Sequence, residues 1–275
     1  MVQIINGREI ARDIREKIRE RVEQMPIKPK LAVILVGDDE ASHLYVGLKQ
    51  RACEEAGIGF ELFLYPADAS EPEIVSKIQE LNARTEVTGI LVQLPLPSQN
   101  ADRVVLAIDP KKDVDGFHPA NLENLKNDHP TLVSATALGI MKLITATNEE
   151  LRGKQAVLVS GERFAEPLEI LLAEQGVASE VVSPDDPHLK EKTQQGDILI
   201  VAVGRPHLIN GEMIKNKAIV LDVGTNKIAE RTIGDVDQES AAEAASWITP
   251  VPGGVGPMTV AMLLVNITKA WDLQK

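Results

Sequence analysis

Tyr45 and Lys49 stand four residues apart in the segment that follows the apolar run ending at Gly37. On a helix this spacing puts both side chains on one face. An aromatic ring would then form a platform for a planar ligand. Beside it, a lysine whose pKa is lowered by burial or a neighbouring cation would take or give a proton. A solvated lysine next to a half-buried tyrosine satisfies the same pattern. Gln93 closes the otherwise apolar stretch Gly89-Ile-Leu-Val-Gln93, at the carboxyl end of a strand, where open α/β sheets bind ligands. A glutamine there also serves to satisfy loop backbone groups. Asp113 and Asp115 flank Val114 in a loop that turns at Gly116, and turn formation alone accounts for such residues. The run Thr249-Pro-Val-Pro-Gly-Gly-Val-Gly-Pro-Met-Thr259 has more glycine and proline than a plain connector needs. Its glycines let a ligand approach the backbone just ahead of a helix N-terminus, and Pro257 suits the first helical turn.

The elements that must position these groups are readable from periodicity. Ile10, Ile14, Ile18 and Val22 recur every fourth residue among charges, one stripe of an amphipathic helix. Leu31 to Val36 is a continuous apolar run, as in a strand buried on both faces. A helix over about 41–56, a strand over 60–65, a helix over 71–83 and a strand over 89–94 follow, with a helical patch near 104–108. From Thr136 a further helix leads to strands at 156–159, 180–182, 198–203 and 218–223. Helical stretches near 168–173 and 240–245 accompany them. Strands alternating with helices throughout predict an α/β fold of two doubly wound domains, the second Rossmann-like, with a cleft between them. The expected boundaries are residues 1–134 with 256–275, and 135–255. The last helix, about 258–271, is apolar on most of its surface, which argues that it returns to pack on the first domain.

Composition narrows the partners. The 275 residues are 44% hydrophobic and 25% charged, ordinary for a folded chain. With 29 basic against 41 acidic residues the net charge is −12, which argues against a nucleic-acid binder. The single cysteine, Cys53, excludes an internal disulfide or a cysteine-cluster metal site. The five histidines lack metal-ligand spacing, so no metal is expected. No stretch is long and apolar enough for a membrane span or a secretory signal, and a cytoplasmic protein is expected.

Several long segments, in order, resemble the methylenetetrahydrofolate dehydrogenase/methenyltetrahydrofolate cyclohydrolase family of one-carbon folate metabolism. They are Val36-Gly-Asp-Asp-Glu-Ala-Ser42 with Tyr45 and Lys49, Gly89 to Pro97, Lys112-Asp-Val-Asp-Gly-Phe-His-Pro119, Ala202-Val-Gly-Arg-Pro206, Gly234-Asp-Val-Asp237 and Thr249 to Thr259. The resemblance implies a catalytic Lys49, with Gln93 as its hydrogen-bonding partner. Tyr45 would be the ring that stacks on folate and Asp115 the pterin anchor, with Pro252, Gly253 and Gly254 lining the same cleft. It implies oxidation of 5,10-methylenetetrahydrofolate with NADP or NAD, hydrolysis of the methenyl product to 10-formyltetrahydrofolate, and a homodimer. A lysine beside the methenyl cation would have its pKa lowered by like charge and could accept the proton of the attacking water.

The second half departs from the family pattern where the dinucleotide belongs. The family's Val-Gly-Arg-Ser loop reads Val159-Ser-Gly-Glu-Arg-Phe-Ala-Glu-Pro167, one residue shorter. Its Cys-His-Ser-x-Thr reads Val181-Val-Ser-Pro-Asp-Asp186, and its Pro-Cys-Thr-Pro reads Ser134-Ala-Thr-Ala137. The matching cofactor positions are Thr136, Ser160, Gly161, Glu162, Ser183 and Thr225. Glu162, Glu166, Asp185 and Asp186 are expected around the phosphate pocket, where they would repel phosphate and favour a free 2′-hydroxyl; Arg163 would compensate. A cyclohydrolase with a vestigial dinucleotide domain and a non-enzymatic folate-binding paralogue stand as alternatives.

Overall fold

The continuous apolar run at residues 31–36 becomes the central strand of the first of two compact units in the computed structural model, which describes residues 1–229 and 231–275. The chain opens with β1 (Gln3–Ile4) and α1 (Gly7–Glu23), then passes through β2 (Lys30–Val36), α2 (Glu40–Glu55), β3 (Gly59–Tyr65), α3 (Glu71–Ala83), β4 (Gly89–Val92), α4 (Ala101–Leu106) and α5 (Pro119–Lys126). The first unit comprises Arg12–Ala135 and Val260–Lys275. Its sheet has the order β3-β2-β4, all parallel, with Leu31 opposite Phe60 on one side and Gly89 on the other. From β2 the chain goes first to one side and then to the other, which makes the carboxyl ends of β2 and β4 a topological switch point.

Between the sheet and α3 lie Ile34, Ile74, Ile78, Leu81, Ile90 and Val92, all buried. At roughly 1.5–3 kcal/mol for each large aliphatic side chain removed from water, this cluster is a main source of the unit's stability. α3 begins where Ser70 Oγ accepts a hydrogen bond from Glu73 N, with Pro72 in the first turn. It ends against a buried ammonium: Lys112 Nζ donates to the carbonyls of Leu81, Asn82 and Arg84. A cation on the otherwise orphaned carbonyls satisfies them and complements the helix dipole.

The second unit comprises Met1–Ala11 and Thr136–Thr259. It holds α6 (Ala135–Thr145), β5 (Gln155–Ser160), α7 (Glu162–Glu174), β6 (Ala178–Val182), α8 (Leu189–Thr193), β7 (Ile198–Ala202), β8 (Ile219–Asp222), the antiparallel pair β9 (Asn226–Ile228) and β10 (Arg231–Ile233), α9 (Gln238–Ala244) and β11 (Trp247–Ile248). α10 (Val255–Leu273) ends the chain. Six parallel strands form one sheet in the order β1-β11-β8-β7-β5-β6. The part β6-β5-β7-β8-β11 is Rossmann-like, with its switch point between β5 and β7. Val157, Val159, Leu199, Val201 and Val220 fill one core layer of this unit.

The structure differs from the expected layout in three places. Residues 1–11 group with the second unit rather than the first, because β1 pairs in parallel with β11, Gln3 opposite Trp247 and Ile4 opposite Ile248. Likewise, the second unit runs to Thr259 rather than 255. The helix expected from Leu168 begins at Glu162 and carries Pro167 inside it; burial of Ala165, Pro167, Leu168 and Leu172 holds the turn that the proline weakens. The short elements α5, α8, β1, β9, β10 and β11 fall outside the pattern expected from the sequence.

Candidate functional site

α2 starts at Asp39, whose carboxylate accepts a hydrogen bond from Ser42 N at 2.8 Å. This cap sets the phase of the helix, leaving Tyr45 half-buried and Lys49 only 7% exposed. Lys49 Nζ donates to Gln93 Oε1 at 2.9 Å. Gln93 Nε2 in turn donates to Leu94 O at 2.6 Å, which keeps the amide oxygen turned toward the lysine. The peptide bonds before Pro95 and Pro252 are cis.

Burial is the dominant influence on Lys49 and pushes its pKa below the ordinary lysine value, while the Asp115 carboxylate acts in the opposite direction. Cys53, one turn further along α2, stays a neutral thiol because burial pushes it up to about 12. The lysine therefore faces a neutral amide within bonding distance and has the charge of Asp115 in electrostatic range. Desolvation favours an amine that can lose its proton, and the Asp115 charge opposes it.

Asp115 is held through its backbone. Asn266 on α10 donates from one Nδ2 to Val114 O at 2.8 Å and to Val133 O at 2.7 Å. Ala135 N donates to Asp115 O at 3.2 Å. Asp113, 2% exposed, accepts from Gly116 N, His118 N and Asn121 Nδ2. Gly116 has φ +79° and packs on the backbone of Val133 and Ser134, where a Cβ has no room. Turn formation does explain Asp113; the same turn presents Asp115. Asn121 and Asn266 are marked by none of the sequence motifs, although an asparagine in the middle of an apolar helix is a readable signal.

In the second unit a cavity of about 590 Å³ opens at the carboxyl ends of β5, β6 and β7. Its lining includes Ser160, Gly161, Glu162, Ser183, Asp185 and Arg205. Four of the six expected cofactor positions, Ser160, Gly161, Glu162 and Ser183, meet here. Thr136 and Thr225 are outside this lining; the Thr136 hydroxyl instead accepts from Thr259 Oγ1 at 3.3 Å. Glu166 and Asp186 are outside it as well. Asp186 accepts from His188 N and from Lys192 Nζ, so it shapes the start of α8.

A dinucleotide fits this donor set. Gly161 caps α7 without a side-chain hydrogen bond, which suits a pyrophosphate at the helix N-terminus. The buried Ser160 Oγ has no protein partner, the state expected of a hydroxyl whose partner is a ligand. At the Pro252–Gly254 turn, by contrast, the glycine requirement at Gly254 is internal. Thr249 and Pro250 crowd its Cβ position, and Gly7 abuts its carbonyl. Among the described residues no group of three His, Cys, Asp or Glu is placed to hold a metal ion. Among the same residues no helix is long and apolar enough to cross a membrane.

Comparison with known proteins agrees with this geometry. Residues 5–115 match the catalytic domain, and residues 134–275 the NAD(P)-binding domain, of tetrahydrofolate dehydrogenase/cyclohydrolase. A bifunctional protein FolD of Desulfovibrio desulfuricans is 45% identical over 278 residues, covering 98% of each chain. The crystal structure of the bifunctional enzyme FolD-methylenetetrahydrofolate dehydrogenase/cyclohydrolase from Campylobacter jejuni superposes with a TM-score of 0.94 at 38% identity, covering 99% of this chain and 100% of that one. The Trypanosoma brucei enzyme complexed with NADP cofactor and inhibitor gives 0.94 at 32% identity, covering 99% and 98%. With both domain matches in order and this identity over nearly its full length, the chain belongs to the tetrahydrofolate dehydrogenase/cyclohydrolase family.

Proposed function

We propose that this chain oxidises 5,10-methylenetetrahydrofolate to the 5,10-methenyl form with a nicotinamide dinucleotide and hydrolyses the methenyl form to 10-formyltetrahydrofolate. The observation that carries the reading is the buried Lys49 amine against the Gln93 amide oxygen, with Asp115 in electrostatic range. When bound, the nicotinamide supplies the hydride acceptor for the methylene carbon between N5 and N10. The chain's own residues do the rest. Tyr45 stacks on the planar part of the folate and Asp115 accepts hydrogen bonds from its pterin.

The methenyl product is a cation, and its charge lowers the pKa of Lys49 beyond what burial achieves. The neutral amine then accepts a proton as water adds to the methenyl carbon, and returns one to nitrogen as the ring opens. Overall one water is consumed and one proton released. Gln93 fixes the amine by accepting one of its N–H bonds, leaving the lone pair for the water. Ser160, Gly161, Glu162 and Ser183 hold the dinucleotide at the carboxyl edge of the second sheet, and the protein works as a homodimer in the cytoplasm.

Separate assays of methenyl hydrolysis and of dinucleotide reduction with methylenetetrahydrofolate test the reading, with light scattering for the dimer. Both activities are expected. Hydrolysis without reduction of either dinucleotide would reduce the chain to a cyclohydrolase, and absence of both would overturn the reading.

A further inference from the structure

The nucleotide cavity has an unusual charge balance. Its lining contains two carboxylates, Glu162 and Asp185, and a single guanidinium, Arg205. That guanidinium is already engaged: Arg205 Nη1 and Nη2 donate to the two oxygens of Asp185 at 2.5 and 2.9 Å. The pairing is bidentate, the geometry that uses the planar fork most fully. Arg205 is also fixed at its root, because the buried Asp235 carboxylate accepts from Val203 N at 2.7 Å and Gly204 N at 3.0 Å. The neighbouring ammonium of Lys192 is similarly taken, by Asp186 at 2.8 Å and Glu180 at 3.3 Å.

Position adds to charge. Asp185 lies just beyond the end of β6, the strand beside β5. In Rossmann-like units an acidic residue there, about 20 residues beyond the glycine-bearing turn, binds the ribose 2′-hydroxyl of NAD, whereas NADP needs a free arginine for its 2′-phosphate. That phosphate would bring about −1.5 to −2 charges to a lining whose only cation is neutralised. The unpartnered Ser160 hydroxyl in the same cavity marks it as built for a ligand rather than as an acidic surface patch.

We infer that this chain selects NAD over NADP, with Asp185 both facing the free ribose hydroxyl and holding Arg205 away from phosphate duty, and with Glu162 adding to the exclusion. The inference rests on the proposed dehydrogenase activity and specifies its cofactor. It also gives the carboxylates of Glu162 and Asp185 in the two loops at the cavity a function.

Calorimetric titration of the full chain with NAD, NADP, ADP-ribose and 2′-phospho-ADP-ribose tests it without turnover. The expected result is tighter binding of NAD and ADP-ribose, on the order of tenfold or more over their 2′-phosphorylated counterparts, a difference of about 1.4 kcal/mol per tenfold. Asp185→Ser, checked for an intact fold by circular dichroism, should narrow or invert the preference by releasing Arg205, and Glu162→Gln should narrow it less. Adding Arg205→Met to Asp185→Ser should remove the gained NADP affinity. Equal or tighter binding of NADP by the unmodified chain, together with its selective loss in Arg205→Met alone, would overturn the inference and leave the dehydrogenase reading standing. Failure of all four probes to bind would overturn both.

Discussion

The two units treat their charged groups in opposite ways. In the first, Lys49 is enclosed and paired with a neutral amide, and its protonation is governed by desolvation. In the second, Arg205 and Asp185 stand at the edge of a cavity with side chains 47% and 69% exposed, and each satisfies the other. An enclosed ammonium is costly to keep charged, so burial lowers its pKa, the direction that the proposed role of Lys49 as a base requires. An exposed ion pair contributes little to stability because water and salt screen it. What it controls, on the inference above, is which ligand charge is accepted. On the proposed function, chemistry is set where the dielectric is low, and cofactor choice where a change of charge is cheap for the fold.

The sharpest way to break this contrast is to remove the enclosed base. Lys49→Ala should lower methenyl hydrolysis by about 10²- to 10⁴-fold while folate binding stays measurable by fluorescence titration; unchanged turnover would remove Lys49 from the mechanism. Next in size is a change of its partner. Gln93→Glu places an opposite charge beside Lys49, which favours the ammonium. Because the working form is the neutral amine, the rate rises with pH, and the acid limb of the pH–rate curve should move to higher pH by about one to three pH units. In the unmodified chain that limb should lie below the ordinary lysine range. A limb that does not move in the variant would show that another group titrates.

Support from α10 is expected to matter less to chemistry than to stability. Asn266→Leu leaves the carbonyls of Val114 and Val133 without their donor and should cost about 1–3 kcal/mol in urea unfolding. It should also raise KM for the folate through a loosened Asp115. An unaltered KM would limit Asn266 to a packing role. The smallest effect belongs to the exposed pair: Asp185→Ser should leave the urea-unfolding midpoint where it is in the unmodified chain. A clearly lowered midpoint would contradict the view that the edge of the cavity is energetically separate from the fold.

Much of this was legible before any coordinates. The continuous six-residue apolar run of β2 and the i, i+4 pairing of Tyr45 with Lys49 required only local pattern, an unbroken apolar stretch in one case and the 3.6-residue helical period in the other. The position of Gln93 followed from the strand-end rule. Asp113 was also visible, but its use was not, because a turn-forming aspartate and one that organises a substrate loop look the same in a single chain. Thr136 and Thr225 were drawn toward the nucleotide by family correspondence, and the cavity lining does not include them. Glu166 and Asp186 are not in that lining either: Glu166 lies within α7, and Asp186 is engaged by His188 N and Lys192 Nζ ahead of and on α8.

By itself the sequence determined the alternation of strands and helices, the helix face that Tyr45 and Lys49 share, the acidity of the nucleotide loops and the absence of disulfides. Only the tertiary structure decided that Lys49 meets Gln93, 44 residues away, and that Asn266 grips the backbone beside Asp115 from 152 residues further along. It likewise decided that Asp185 closes on Arg205 and that β1 joins the second sheet. The physical reason is one of range. Backbone sterics and side-chain periodicity act over a few residues, whereas these contacts depend on strand order and on where each crossover returns, which is settled by burying the whole apolar surface at once.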